Sequence, residues 1–176
     1  MNIALKSAVA LFIFIPLTAG AQSRNAITIA AGPSFPTGEL RQTQAQGTDI
    51  NLGLIRGSDD SPFGVRLDLA YDRFPGKTVN GIHNAERRVA GGSADLLFST
   101  SGYTIKPYLI AGAGAFKVTS KPEAEDAKTR FGFDFGIGFT MPLGTNALFI
   151  ESRLNSVSQH HARPLRYIPV ALGFLF

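Results

Sequence analysis

The chain has 176 residues and a formal net charge of +4, with 44% apolar and 17% charged residues, 19 Gly, 14 Phe and neither Cys nor Trp. The absence of Cys excludes a disulfide framework, thiolate metal sites and a cysteine nucleophile. Charge falls below the roughly 25% of an average soluble domain, yet mean hydropathy is only +0.09, which fits neither a disordered chain nor a bundle of membrane helices.

Residues 1–21 carry a lone Lys6, an apolar stretch from Ala8 to Leu17 and the small residues Ala19, Gly20 and Ala21. About ten apolar residues are too few to cross a roughly 30 Å hydrocarbon layer as a helix, so this segment reads as a cleaved secretory signal, and residues 22–176 as one domain. Beyond it no run of eighteen apolar residues occurs. Apolar residues alternate with others in segments of about ten, bounded by Gly, Pro, Ser, Asp or Asn, as β-strands and turns do. Eight strands are expected, near Asn25–Gly32, Thr48–Arg56, Pro62–Phe74, Arg88–Ser99, Tyr103–Thr119, Thr129–Met141, Ala147–Val157 and Leu165–Phe176. The connections alternate between long and short, so in an up-and-down sheet all long loops lie at one end, an asymmetry of transmembrane barrels. Basic residues are interspersed with acidic ones and form no run, so no nucleic-acid partner is expected.

Three strands show one apolar face each. Phe131, Phe133, Phe135, Ile137 and Phe139 alternate with Gly132, Asp134, Gly136, Gly138 and Thr140. Phe63, Val65, Leu67, Leu69 and Tyr71 do so with Gly64, Arg66, Asp68, Ala70 and Asp72, and Ile168 to Phe176 repeat the pattern. A soluble lipocalin-like barrel turns such a face inward around a ligand, whereas a membrane barrel turns it outward to lipid. The opposite face carries Arg66, Asp68, Asp72, Asp134, Glu151 and Arg153 among many glycines. Charges of both signs with small residues suit ion pairs inside a narrow lumen, and so favour the membrane barrel without a wide pore.

With these segments in view, the sequence resembles the small eight-stranded outer-membrane β-barrel family of the OmpA, OmpX and opacity-protein kind. The residues that carry the resemblance are Pro107–Gly114, Phe131–Gly136 and the terminal Val170–Phe176. It implies an eight-stranded antiparallel up-and-down transmembrane barrel in the outer membrane of a Gram-negative bacterium, in contact with outer-membrane lipid and lipopolysaccharide. It also implies that Phe174 and Phe176 act as the signal read by the outer-membrane assembly machinery. The peptidoglycan-binding domain that follows the barrel in some relatives is not expected here. Family members differ in task, so the resemblance places the protein without assigning one.

One constellation offers chemistry. His160 and His161 lie in the last long loop near Glu151, Ser156 and Ser158, the residue types of an acyl hydrolase acting on envelope lipid. Glu151 is expected to point into the lumen, away from that loop, and two adjacent histidines make no zinc site. No catalytic residue, metal or cofactor is therefore expected, and the reading is a structural or surface-interaction role through the long loops. Phe63, Tyr71, Tyr103, Tyr108 and Phe116, near strand ends, are candidates for interfacial girdles.

Overall fold

The computed structural model describes residues 23–58, 61–100, 104–121, 128–159 and 163–176. The expected signal segment, Tyr103, His160 and His161 lie outside them. The elements are β1 (Ser23–Thr37), α1 (Leu40–Thr43), β2 (Gly47–Ser58), β3 (Phe63–Phe74), β4 (Thr78–Val79), β5 (Ile82–His83), β6 (Glu86–Ser99), β7 (Lys106–Lys121), β8 (Lys128–Leu143), β9 (Asn146–Val157) and β10 (Leu165–Leu175). Eight strands close into one antiparallel barrel in the order β1-β10-β9-β8-β7-β6-β3-β2, and β4 and β5 form a separate hairpin. Every barrel strand pairs with its sequence neighbour except at the seam, where β1 meets β10 from Thr28 opposite Leu175 to Thr37 opposite Arg166. Phe176 finishes the seam by exchanging backbone hydrogen bonds of 2.9 and 3.1 Å with Ile27.

Following paired residues once around the wall from Ala26 leads back to β1 at Pro36, ten residues further on. At about 3.3 Å per residue and about 4.8 Å between strands, that stagger tilts the strands by roughly 40°. Phe131 to Leu143 on β8 and Phe63 to Tyr71 on β3 then give an apolar wall roughly 20–30 Å tall, the height of a bilayer's hydrocarbon region. These side chains point outward: Leu69 is 65% exposed, and Ile29, Ile50, Phe133, Phe135, Ile150 and Leu172 are about half exposed. An apolar lining turned inward, as a soluble ligand-carrying barrel requires, is not what these strands form.

The first strand is longer than the sequence pattern indicates, running through Pro33 and Pro36 to Thr37. Prolines lack an N–H to donate. Here the pairing of Ile27 to Ala31 with both neighbours already fixes the strand's path, and Pro33 continues it opposite Thr48 and Pro36 opposite Tyr167. The connection after β3 also contains more structure than expected. Asn80 and Gly81, both at positive φ, make the two-residue turn that Asn-Gly favours between twisted strands, joining β4 to β5.

Two of the girdle candidates point the other way. Tyr108 and Phe116 are buried inside the barrel, because β7 places Leu109, Ala111, Ala113 and Ala115 on its outer face and Tyr108, Ile110, Gly112, Gly114 and Phe116 on its inner one. Phe63 and Tyr71 do face outward. The lower rim holds Phe63 against Phe98, with ring centroids 5.2 Å apart, and Phe174 beside Phe176 at 6.3 Å.

Candidate functional site

The lumen is layered. At the end of the long loops, Leu40 of α1 drops into a cluster with Phe74, Val89, Phe116, Val157, Leu165 and Tyr167, all buried. The Phe74 and Tyr167 rings meet edge to face at 5.3 Å. This apolar plug fills the lumen at the long-loop end.

The loops above the plug are stitched together. The Ala45 N–H donates to the Pro75 carbonyl and the Lys77 N–H to the Thr43 carbonyl, each at 2.8 Å. Lys77 Nζ donates to the Arg41 carbonyl at 2.9 Å and Gln44 Nε2 to the Ala85 carbonyl at 3.2 Å. Glu39 and Arg163, both exposed, link the first loop to the start of β10 at 3.3 Å. The β4–β5 hairpin stands on this base and presents Val79 and Ile82 to solvent, Ile82 with 71% of its surface exposed.

Below the plug lies a ring of charge. Arg66 Nε donates to Asp68 Oδ1 at 2.7 Å, and Arg66 Nη1 to Glu151 Oε2 at 3.1 Å. Arg153 Nη2 donates to Asp68 Oδ2 at 2.6 Å, and Arg153 Nε to Glu151 Oε1 at 2.5 Å. Asp68 and Glu151 thus each bridge both arginines, so two anions and two cations close a neutral cycle. Tyr108 Oη also donates to Glu151 Oε2 at 2.7 Å, and the Arg66 guanidinium lies 5.5 Å from the centroid of the Phe149 ring. Burying charges is costly unless each is paired and hydrogen-bonded, and the cycle does both.

Arg66, Asp68, Glu151 and Arg153 form this cycle, and Asp134 approaches Arg153 Nη1 at 3.5 Å. Asp72 sits higher, accepting from Ser34 at 2.8 Å. Several inward polar residues were not singled out from sequence. Asp95 accepts from Arg153 at 3.3 Å and from Ser93 at 3.1 Å, and Asp49 accepts from Asn51 at 3.0 Å. Asp49 was legible, because Asp49 and Asn51 alternate with Ile50 and Leu52. Asp95 was not, since Ala and Gly occupy both faces of β6 nearby.

The ring is packed to contact. A side chain at Gly138 would run into the Tyr108 ring, and one at Gly112 into Asp95. Among the described residues no group of three His, Cys, Asp or Glu side chains is arranged to hold a metal ion. Glu151 is engaged on both carboxylate oxygens inside the wall, while Ser156 and Ser158 lie further up, near the outer rim. The described members of the hydrolase constellation are therefore not brought together.

No protein-family model and no curated protein sequence matches the chain. Solved structures do match it in shape. Neisserial surface protein A superposes with a TM-score of 0.68, at 14% identity over 88% of this chain and 97% of that one. Ail, the attachment invasion locus protein of Yersinia pestis, gives 0.52 at 15% identity over 89% and 100%. The outer membrane enzyme PagL gives 0.52 at 15% identity over 86% and 98%. At these identities the likeness is one of fold, the small eight-stranded outer-membrane barrel.

Proposed function

We propose that the protein is an integral outer-membrane barrel that displays its long loops at the cell surface as an interaction platform, with lipid and lipopolysaccharide around its wall. The observation that carries this reading is the braced cap. An apolar plug under α1 and four hydrogen bonds between the first two loops hold a hairpin whose exposed residues, Val79 and Ile82, have no packing role in the barrel. Loops positioned by a rigid scaffold are where binding resides, and exposed apolar side chains on such a base fit an apolar patch on a partner protein. Similarity in fold to a surface protein and an attachment protein is consistent with this.

The chain has no native Cys, which makes the test clean. Ile82→Cys is expected to react with a membrane-impermeant maleimide on intact cells, and Thr145→Cys only after the outer membrane is permeabilised; the reverse pattern would overturn the orientation. Cells producing the protein are expected to adhere to protein-coated surfaces several-fold better than cells producing Val79→Asp/Ile82→Asp at the same level, and equal adhesion ends the interaction reading.

Lipid modification is the second reading, favoured by the likeness to PagL. It predicts altered acylation of envelope lipid in cells with wild type and not with His160→Ala/His161→Ala.

A further inference from the structure

The outer face between β3 and β8 differs from the rest of the wall. Where β6 pairs with β7, the outward residues are Ala90, Gly92 and Ala94 on one strand and Ala111, Ala113 and Ala115 on the other, with Gly92 opposite Ala115 and Ala94 opposite Ala113. Their neighbours on the flanking strands are large and exposed: Leu67, Leu69 and Tyr71 on β3, and Phe131, Phe133 and Phe135 on β8. Small residues between two ridges leave a shallow apolar trough. At about 4.8 Å per strand spacing and about 3.3 Å per residue, it is roughly 14 Å from ridge to ridge along the wall and roughly 13 Å long.

A second feature stands over the same strands. The outward residue just above the apolar band is Thr37 on β1, Thr48 on β2, Thr129 on β8 and Ser156 on β9, with a lone Arg166 on β10. On the three consecutive strands β3, β6 and β7 it is Arg73, Arg88 and Lys117. Arg73 lies opposite Arg88, and Lys117 opposite Ala90. The strand tilt lifts β7 above β6 by about 3 Å, which offsets most of that difference and leaves the three cations roughly level. Glu86 is shared by both arginines. Three cations therefore face one carboxylate among the described residues of the cluster.

The two features together select an occupant that is anionic above and apolar below. A free anion would answer to the cations alone, and an apolar peptide to the trough alone. A second copy seated upright on this face would bring two sets of cations together, which opposes association. Guanidinium groups match phosphate through paired hydrogen bonds. Acyl chains in van der Waals contact take about 4–5 Å each, so the trough admits more than one.

We propose that the face formed by β6 and β7 binds one lipopolysaccharide molecule, with a phosphate on Arg73, Arg88 and Lys117 and acyl chains in the trough. This rests on the outward orientation of the long loops proposed above, which sets the cations at the headgroups of the outer leaflet.

The test uses the full barrel refolded in detergent micelles, with alanine methyl groups observed by NMR and purified lipopolysaccharide as the probe. Binding is expected to shift the Ala90, Ala94, Ala111, Ala113 and Ala115 methyls saturably at one lipid per barrel. Ala31, outward on the opposite wall between Ile50 and Leu172, is expected not to follow. Arg73→Gln/Arg88→Gln/Lys117→Gln is expected to weaken binding at least tenfold. Ala113→Leu raises the floor of the trough and is expected to weaken it several-fold with the cations untouched. Shifts at Ala31 equal to those in the trough, or undiminished affinity in the triple variant, would overturn the proposal. So would equal affinity for lipopolysaccharide stripped of its phosphates. Equal affinity for phosphatidylglycerol would make this a general site for anionic lipid, and displacement of lipopolysaccharide by millimolar inorganic phosphate a site for free anions; either overturns the assignment. Labelling of Ile82→Cys only after permeabilisation would remove the orientation beneath the proposal, whereas labelling on intact cells with a failed titration would remove the proposal alone.

Discussion

Arg66 and Glu151, 85 positions apart in sequence, meet across the lumen at 3.1 Å and tie β3 to β9 through the middle of the barrel. Neither strand is hydrogen-bonded to the other in the wall, so the pair braces the cross-section where backbone pairing does not reach. Removing one partner leaves buried charge unmatched, which costs roughly 3–5 kcal/mol, far more than the net worth of an intact pair. Glu151→Ala is therefore expected to lower the urea midpoint of unfolding strongly in detergent. Replacing Arg66, Asp68, Glu151 and Arg153 together by apolar residues of similar size is expected to cost less than the single change. A Glu151→Ala barrel as stable as wild type would mean that the cycle does not carry the load assigned to it.

The outer wall makes an independent prediction. Leu69 lies on the apolar band with 65% of its surface exposed, whereas Thr48, also exposed, lies at the outer edge opposite Arg73. A lipid-facing arginine costs about 2–4 kcal/mol near the bilayer midplane and about 0–1 kcal/mol at the interface. Leu69→Arg is expected to destabilise refolding into lipid vesicles by the larger amount and Thr48→Arg by the smaller. Equal costs would show that the band does not sit in hydrocarbon.

How much of this was legible beforehand depends on contrast between the two faces of each strand. On β8, Phe against Gly and Asp leaves no doubt about parity, and its bounds fall within two residues of the expected ones. On β7 the outward residues are Ala111, Ala113 and Ala115 and the inward ones include Gly112 and Gly114. Small residues on both faces carry no hydropathy signal, which is why Tyr108 and Phe116 read as girdle candidates until the register placed them inside. Leu40 looked like one apolar residue in a polar loop. Its role as the plug depends on Phe74, Val89 and Tyr167 arriving from three other strands, a long-range fact that no local pattern holds. Gly57 read as turn punctuation, whereas it continues β2 opposite Gly64.

Gly138 offers a test of close packing. Its Cα faces the Tyr108 ring so closely that any added side chain must displace the ring, and the Tyr108 hydroxyl holds Glu151. Gly138→Val is expected to unfold the barrel at markedly lower urea. Gly138→Val/Tyr108→Ala is expected to recover part of that loss, since the collision disappears. Equal destabilisation in the double variant would place the cause in the backbone and not at the ring.

At the outer rim, Arg73 and Arg88 donate to Glu86 at 2.7 and 2.5 Å. The hydrogen bond from Arg73 first, and then that from Arg88, holds the Glu86 carboxyl below the usual carboxylate range. A group whose folded value is depressed stabilises the fold above its unfolded value and loses that contribution as pH falls through the folded one. The cluster is open to solvent, so the effect on stability is expected to be small and screened by salt. NMR titration of Glu86 is expected to show a midpoint below that of a free glutamate, rising in Arg73→Gln/Arg88→Gln; an unshifted midpoint in wild type would count against the pairing.

At Phe176 one pair of variants separates the backbone's part in the seam from the proposed assembly signal. The Phe176 backbone closes the seam through its hydrogen bonds to Ile27, while its ring, 58% exposed beside Phe174, points away from the barrel. Deleting the residue removes both the bonds and the ring, but Phe176→Ala removes only the ring. If Phe174 and Phe176 serve as the signal for the assembly machinery, Phe176→Ala is expected to refold in detergent as wild type does. In cells the same variant is expected to accumulate in the outer membrane several-fold less. Normal levels in cells would remove the signal role from Phe176. Failure of Phe176→Ala to refold in detergent would show instead that the ring supports the seam, with the deletion expected to be worse by the loss of two backbone hydrogen bonds at an edge that must be closed in lipid.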